Sequence, residues 1–263
     1  MQIQGKRVLL TGATGGIGEA IARELSRAGA ELIVTGRRAD VLERIAAETG
    51  ATIAVADLAD RAQLDALLAT HPQVDILIAN AALPASGAID QFSIEEIDRA
   101  LDVNLRTPVI MARQLLGPMK ERGCGQIVLI SSLAGKVATA GSSLYSTTKF
   151  ALRGFGAGVR ADLVGSGVGV SVIFPGFVRD AGMFHESEVE LPSYVGTSSP
   201  RDVALAVRSA IENDRGEIDV APIAVRAATK ASELAPAFMA AVVRRLGSAD
   251  FTAEIADRQA DKR

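Results

Sequence analysis

The stretch TGATGGIGEAIARELS, residues 11–26, follows directly on the apolar run RVLL (7–10), and its reading decides the fold. Glycines at 12, 16 and 18 fall between a strand and the opening of a helix. Glycine there lets the chain turn sharply and lets main-chain amides approach an anion, which the positive end of the helix then stabilises. That is what a dinucleotide pyrophosphate needs. The spacing is G-x-x-x-G-x-G, and a tight strand-to-helix turn also uses glycine for steric reasons alone, so the motif needs support from the rest of the chain.

Working outward, short runs rich in Val, Ile and Leu recur as ELIV (31–34), TIAV (52–55), VDILIA (74–79), QIVLI (126–130), VGVSVI (168–173) and EIDV (217–220). With RVLL they make seven strands. Segments such as EAIARELSRAG, ADVLERIAAETG and RAQLDALLAT lie between them, with apolar residues at three- and four-residue spacings, and two of the three end at glycine. Strand and helix in alternation mean parallel strands with crossover helices on both faces. The expected fold is a single α/β domain spanning residues 1–263, a doubly wound parallel sheet. The Ala-rich tail after Pro222 is expected to form one or two capping helices. Residues 181–199, AGMFHESEVELPSYVGTSS, break the regularity and read either as a substrate lid or as a plain surface excursion. His185 lies in that segment and reads as solvated or packed within it, while His71, before Pro72, has no evident partner.

Composition narrows the function. Of 263 residues, 48% are hydrophobic, ample for a buried sheet, and 28 Lys plus Arg stand against 31 Asp plus Glu with no block of like charge. No nucleic-acid footprint is present, so a small-molecule partner is expected. The single cysteine, Cys124, has no internal disulfide partner, and the opening MQIQGKRVLLTG is too weakly apolar for a signal-peptide core. No run approaches the roughly 18 apolar residues of a membrane span. The reading is a cytoplasmic protein with no metal site.

The chemistry concentrates in SSLAGKVATAGSSLYSTTK, residues 131–149. Tyr145 and Lys149 are four apart, so on a helix they share a face. A neighbouring ammonium favours phenolate, so Lys149 is expected to lower the Tyr145 pKa toward the working range. Ser132, from the preceding strand end, would donate to an oxygen gaining negative charge. Against this, Tyr and Lys pairs at this spacing are common on helices and serines fill loops. Asp57, in ADLAD after the third strand, reads either as a ligand near an adenosine or as a helix cap, a task Asp60 would also serve. Asn80 in LIANAAL ends the fourth strand among small alanines.

Taken together, TGATGGIG, the Asn-Ala turn after the fourth strand, Asn104 in DVNL, Ser132 thirteen residues before Tyr145, YSTTK and PGFV resemble the short-chain dehydrogenase/reductase (SDR) family over residues 6 to 220. The resemblance implies a Rossmann-type fold and NAD(P)-dependent hydride transfer between a nicotinamide and a carbonyl or secondary alcohol, on a substrate expected to be apolar. It implies Tyr145 as acid/base, with Lys149 tuning it and bonding the nicotinamide ribose. Ser132 would orient the substrate oxygen, and Asn104 would support a water that leads protons to the lysine. Gly12, Gly16, Ile17 and Gly18 would hold the pyrophosphate, Asp57, Leu58 and Asn80 the adenosine, and Pro175, Gly176 and Val178 the nicotinamide end. Ser131, Ser142 and Ser143 are at the wrong spacing and read as loop or capping residues. Two departures stand out: Ala79-Asn80-Ala81-Ala82 replaces Asn-Asn-Ala-Gly, and Asp180 stands where the pattern has Thr, acceptable near a pyrophosphate only if turned away or paired with Arg179. The alternatives are a catalytically silent dinucleotide sensor or scaffold on this fold, and an epimerase or dehydratase using the same residues.

The end of the second strand, IVTGRRAD, bears on cofactor choice. An acid there would accept from the ribose hydroxyls, whereas arginine attracts a 2′-phosphate. Gly36 occupies the acid's place and Arg37 and Arg38 follow, so NADP(H) is expected to be preferred, NAD(H) not being excluded. Thr14 stands in the glycine loop where some NADP-preferring relatives carry a basic residue. In the other reading both arginines are solvated ahead of a helix capped by Asp40. Relatives commonly pair the helices bearing Asn104 and Tyr145 across a two-fold axis, so a homodimer or homotetramer is expected, with Gly154, Gly156 and Gly158 on the second helix.

Overall fold

The structure, a computed structural model, describes residues 1–180 and 196–237. Seven strands form one sheet: β1 (Arg7–Thr11), β2 (Glu31–Gly36), β3 (Thr52–Val55), β4 (Ile76–Ala79), β5 (Gly125–Ile130), β6 (Val168–Pro175) and β7 (Glu217–Val220). Their order is β3-β2-β1-β4-β5-β6-β7, and every pairing is parallel. All seven apolar runs become strands. They are legible because a parallel strand buried on both faces reads as a continuous apolar run.

Helices cover both faces. Val8, Leu10, Val34, Ile76 and Ile78 pack under α1 (Gly16–Arg27), α2 (Ala39–Thr49) and α7 (Pro200–Asn213), while the alternate residues Leu9, Ile33 and Leu77 meet α3 (Arg61–Thr70), α5 (Thr107–Glu121) and α6 (Ser143–Asp162). This is the two-residue alternation of a strand. Helix α4 (Ile94–Leu101) runs into α5 through a π-helical turn, Asp102–Arg106. After Pro222 comes α8 (Ile223–Leu234), which accounts for the described part of the expected capping region.

Local chemistry sets the helix starts. Asp60 caps α3 by accepting from the amides of Ala62 and Gln63, and Ser93 and Ser199 close capping boxes with Glu96 and Asp202. The N-cap of α2 is Arg38, not Asp40, which lies inside the first turn, so the capping alternative for that acid falls. Helix α1 has Gly15 as its N-cap and so no side-chain cap, leaving its first amides to a ligand or water. Strand order reverses between β1 and β4, and in such sheets ligands bind in the crevice at the carboxyl ends on either side of that point.

Candidate active site

At the β1 end, Gly12 has φ 63, and a Cβ on it would stand 2.7 Å from Ala81 Cα. A Cβ on Gly18 would stand 2.2 Å from Gly12 O, so only glycine permits this loop to fold onto the helix start. The result is a cradle of backbone with free amides at its base, the donor set a pyrophosphate requires. Thr11, which the sequence reading passed over, holds the cradle to β4: its Oγ1 accepts from the amides of Asn80 and Ala81, each at 3.0 Å, and donates to Ile78 O at 3.3 Å. Asn80 Nδ2 donates to Thr11 O at 3.1 Å and Gly12 O at 3.0 Å, so its amide shapes the loop.

Thr14 packs against Gly36, where a Cβ would come 2.9 Å from its methyl, and its carbonyl accepts from Arg38. Arg38 therefore braces the glycine loop. Arg37 is exposed and makes no hydrogen bond or ion pair among the described residues. Asp57 is not a helix cap; its Oδ1 accepts from Ala59 N at 3.0 Å, and Arg99 of α4 approaches its Oδ2 at 3.7 Å. Leu58 is buried, with its carbonyl held by Thr107 Oγ1 at 2.9 Å.

The reacting set assembles where β5, α6 and β6 meet. Ser132 follows β5 and caps a 3-10 turn, Leu133–Gly135, accepting from Ala134 N at 3.1 Å and reaching Pro175 O, the last residue of β6, at 3.4 Å. Its hydroxyl also acts on the Tyr145 phenol, in the direction that lowers the phenol's pKa. Tyr145 lies in the first turn of α6, and Lys149 one turn on places Nζ 5.5 Å from the Tyr145 ring centroid. Lys149 Nζ donates to Ile130 O at 3.1 Å, and Ser131, another residue outside the expected set, ties its hydroxyl to Lys149 O at 2.9 Å.

Electrostatics differ from the expected tuning. Burial pushes Tyr145 up to about 12 although the side chain keeps some access to the cleft, and the Ser132 hydrogen bond, not the lysine, pulls it back down. Burial likewise pushes Lys149 down to about 8. Burial drives both groups toward their neutral forms, and the lysine Nζ donates to a backbone carbonyl. A phenol held protonated beside a hydroxyl donor is equipped to give a proton to an oxygen gaining charge.

Asn104 sits in the π-helical turn, buried, with Oδ1 accepting from Leu83 N at 2.6 Å and Nδ2 donating to Leu83 O at 2.9 Å. It lies in the π-helical break between α4 and α5 and fixes the chain leaving β4. At the other end, Gly176 N donates to Val220 O, and the Val178 side chain is buried in the core, so only its main chain is available to a ligand. Asp180 has φ 65, and Arg179 lies 3.4 Å from its carboxylate, the pairing that its departure from the family pattern required. Residues 181–195, with His185 and most of the expected lid, lie outside the described residues.

A glycine cradle at a sheet switch point and a Ser, Tyr, Lys cluster beside it define an NAD(P)-dependent oxidoreductase. The sequence profile of the short chain dehydrogenases matches residues 6–191, and the chain belongs to that family. It is 38% identical over 227 residues to the ketoacyl reductase HetN of Nostoc sp. strain PCC 7120, covering 83% of this chain and 79% of the relative. It is 38% identical over 182 residues to the NADP-dependent 3-hydroxy acid dehydrogenase YdfG of Escherichia coli K12, covering 65% and 72%. Among solved structures it resembles a short-chain dehydrogenase from Sphingobium yanoikuyae in complex with NADPH, with TM-score 0.77, 26% identity, and 88% and 93% of the two chains covered. Among the described residues no helix is long and apolar enough to cross a membrane, and no cluster of metal-ligating side chains occurs.

Proposed function

We propose that the protein is a cytoplasmic, NADP(H)-preferring oxidoreductase acting on a ketone or secondary alcohol, with 3-oxoacyl and 3-hydroxy acid compounds as the first substrates to test. The observation that carries the reading is the placement of Ser132 after β5, where it lowers the Tyr145 pKa, beside Tyr145 in the first turn of α6 with Lys149 one turn on, its Nζ 5.5 Å from the Tyr145 ring centroid. In the reducing direction Tyr145 donates its proton to the carbonyl oxygen while Ser132 holds that oxygen in place. Lys149, displaced toward neutrality by burial, then returns a proton to the phenol side of the site. The nicotinamide, when bound, supplies or takes up the hydride. The glycine cradle from Gly12 to Gly18 and the uncapped start of α1 would hold its pyrophosphate, with Asp57 and the Leu58 backbone toward the adenosine and Pro175, Gly176 and the Val178 backbone toward the other end.

The preference for NADP(H) is supported by Gly36 at the acid's place, by the exposed Arg37 beside it, and by the NADP dependence named for one relative and the NADPH bound by a similar structure. The substrate class is supported by the names of two relatives that act on 3-hydroxy acids and ketoacyl compounds. The cytoplasm is supported by the lone free Cys124. Pairing of α5 and α6 with a second copy is supported by Gly117, Gly154 and Gly158, which have open space where a Cβ would stand; Gly156 instead packs on Val172 and belongs to the interior.

The test is turnover of ethyl 3-oxobutanoate, 3-oxoacyl thioesters and 3-hydroxy acids with each nicotinamide cofactor, for wild type and Arg37→Ala. The expected result is higher kcat/KM with NADPH, reduced by on the order of tenfold or more in the variant, as for loss of a charge-assisted bond. A wild type favouring NADH, or an unchanged preference in Arg37→Ala, defeats the cofactor assignment.

A further inference from the structure

Ser132 and Lys149 are each followed four residues later by a cation that the reacting set does not use, Lys136 and Arg153. The Lys136 side chain is 1% exposed, and its Nζ lies 2.6 Å from Asp219 Oδ1 and 2.9 Å from Glu217 Oε2. An ammonium buried this deeply persists only when paired. Its partners are alternate residues of β7 and so face one side of the sheet. The other oxygen of Glu217 accepts from Arg153 Nε at 2.9 Å, so one carboxylate joins the two cations. Phe174, which pairs with Asp219 across the ladder, has Lys136 Nζ 4.0 Å and Arg153 Cζ 5.7 Å from its ring centroid. The next residue, Pro175, offers the carbonyl that Ser132 reaches.

We propose that Lys136, Arg153 and the Glu217 and Asp219 carboxylates are positioning residues that set the approach of Ser132 to Tyr145. The inference rests on the reading of Ser132, Tyr145 and Lys149 as the reacting set. Three segments build that set, the serine loop, the start of α6 and the end of β6; the ion pairs tie the serine loop and α6 to β7, and both cations lie over the ring of Phe174, the β6 residue next to Pro175. A second tie, Ser131 Oγ to Lys149 O, joins loop and helix close to the site. Holding the fold together is a poor explanation for the cluster, because desolvation offsets most of the attraction in a buried pair and apolar residues of equal volume would serve as well. Ions joined at both ends of one carboxylate add a fixed spacing. Ser132 is sensitive to that spacing: its one proton is directed at the Pro175 carbonyl 3.4 Å away, so a small displacement of its loop changes what it offers the phenol.

The sequence itself supplies a reporter, since it has two tyrosines, Tyr145 and Tyr194, and no tryptophan. Labelling with tyrosine carrying carbon-13 at Cζ gives one resonance per tyrosine, assigned by Tyr145→Phe, and the Tyr145 signal responds to the hydrogen bond at its hydroxyl. Ser132→Ala sets the direction of the shift when the serine hydroxyl is removed. Glu217→Gln keeps the side-chain shape and leaves Asp219 to neutralise Lys136; Lys136→Met removes the buried charge. The expected result is a Tyr145 resonance displaced in Glu217→Gln in the same direction as in Ser132→Ala, with NADPH affinity unchanged, and displaced further in Lys136→Met. A Tyr145 resonance at the wild-type position in folded Glu217→Gln overturns the proposal, whatever happens to Tm. If Lys136→Met does not fold, the Glu217→Gln comparison decides alone. Absence of turnover on every carbonyl compound would sink the proposed function and leave this comparison intact.

Discussion

Replacing Lys149 by methionine removes a buried ammonium and keeps an unbranched chain of similar length. Lys149 is 2% exposed and donates to Ile130 O, and burial takes its pKa from 10.5 down to about 8. For a basic group whose folded value is depressed, the folded state disfavours the charged form. Its contribution to stability is therefore fully present above the unfolded value and is lost as pH falls through about 8. The displacement corresponds to about 3 kcal/mol. Tyr145 acts in the opposite direction and higher up: its raised value leaves stability intact below the ordinary phenol range and removes it as pH climbs toward 12. Urea unfolding of the nucleotide-free protein from about pH 7 to about pH 10 separates the two effects. Wild type should gain up to about 3 kcal/mol on Lys149→Met across that window, with most of the gain above pH 8. A difference between the two proteins that stays flat with pH would refute the reasoning, because Lys149 would then titrate as though in water.

Gly18→Ala should abolish NADPH binding in equilibrium titration, since its methyl would stand 2.2 Å from Gly12 O and force the cradle open; retained affinity would show that the loop relaxes without loss of its amides. Thr35 has the only buried side-chain oxygen without a partner among the described residues, so Thr35→Val should raise stability by about 1 kcal/mol, read by denaturant midpoint, and a loss would mean that the hydroxyl is satisfied in solution. Sedimentation at micromolar protein should show a dimer or tetramer, and a stable monomer would remove the pairing of α5 and α6.

Particular residues show where the sequence was sufficient. VDILIA and QIVLI lie in the middle of the sheet, and their unbroken apolar character is a direct record of burial on two faces. Tyr145 and Lys149 were legible as a pair because helical spacing alone brings them onto one face. Their electrostatics were not, because proximity says nothing of where the ammonium donates, and the Ile130 carbonyl that takes it is nineteen residues away. Asp57 and Asp60 were equivalent as capping candidates until backbone geometry gave the first turn of α3 to Asp60. Thr11 and Lys136 were missed for one reason: each works through a distant partner, Asn80 for the first and Asp219 for the second, and neither lies in a local pattern that announces it.

The central claim is that Tyr145 moves the proton in carbonyl reduction, and the most direct measurement is kcat for NADPH-dependent reduction by Tyr145→Phe beside its Kd for NADPH. The account predicts a kcat lower by a factor of at least about 100 with Kd nearly unchanged, as expected for loss of a general acid whose ring, which also helps bind the cofactor, stays in place. Near-normal turnover in Tyr145→Phe would contradict it and take Tyr145 out of the mechanism.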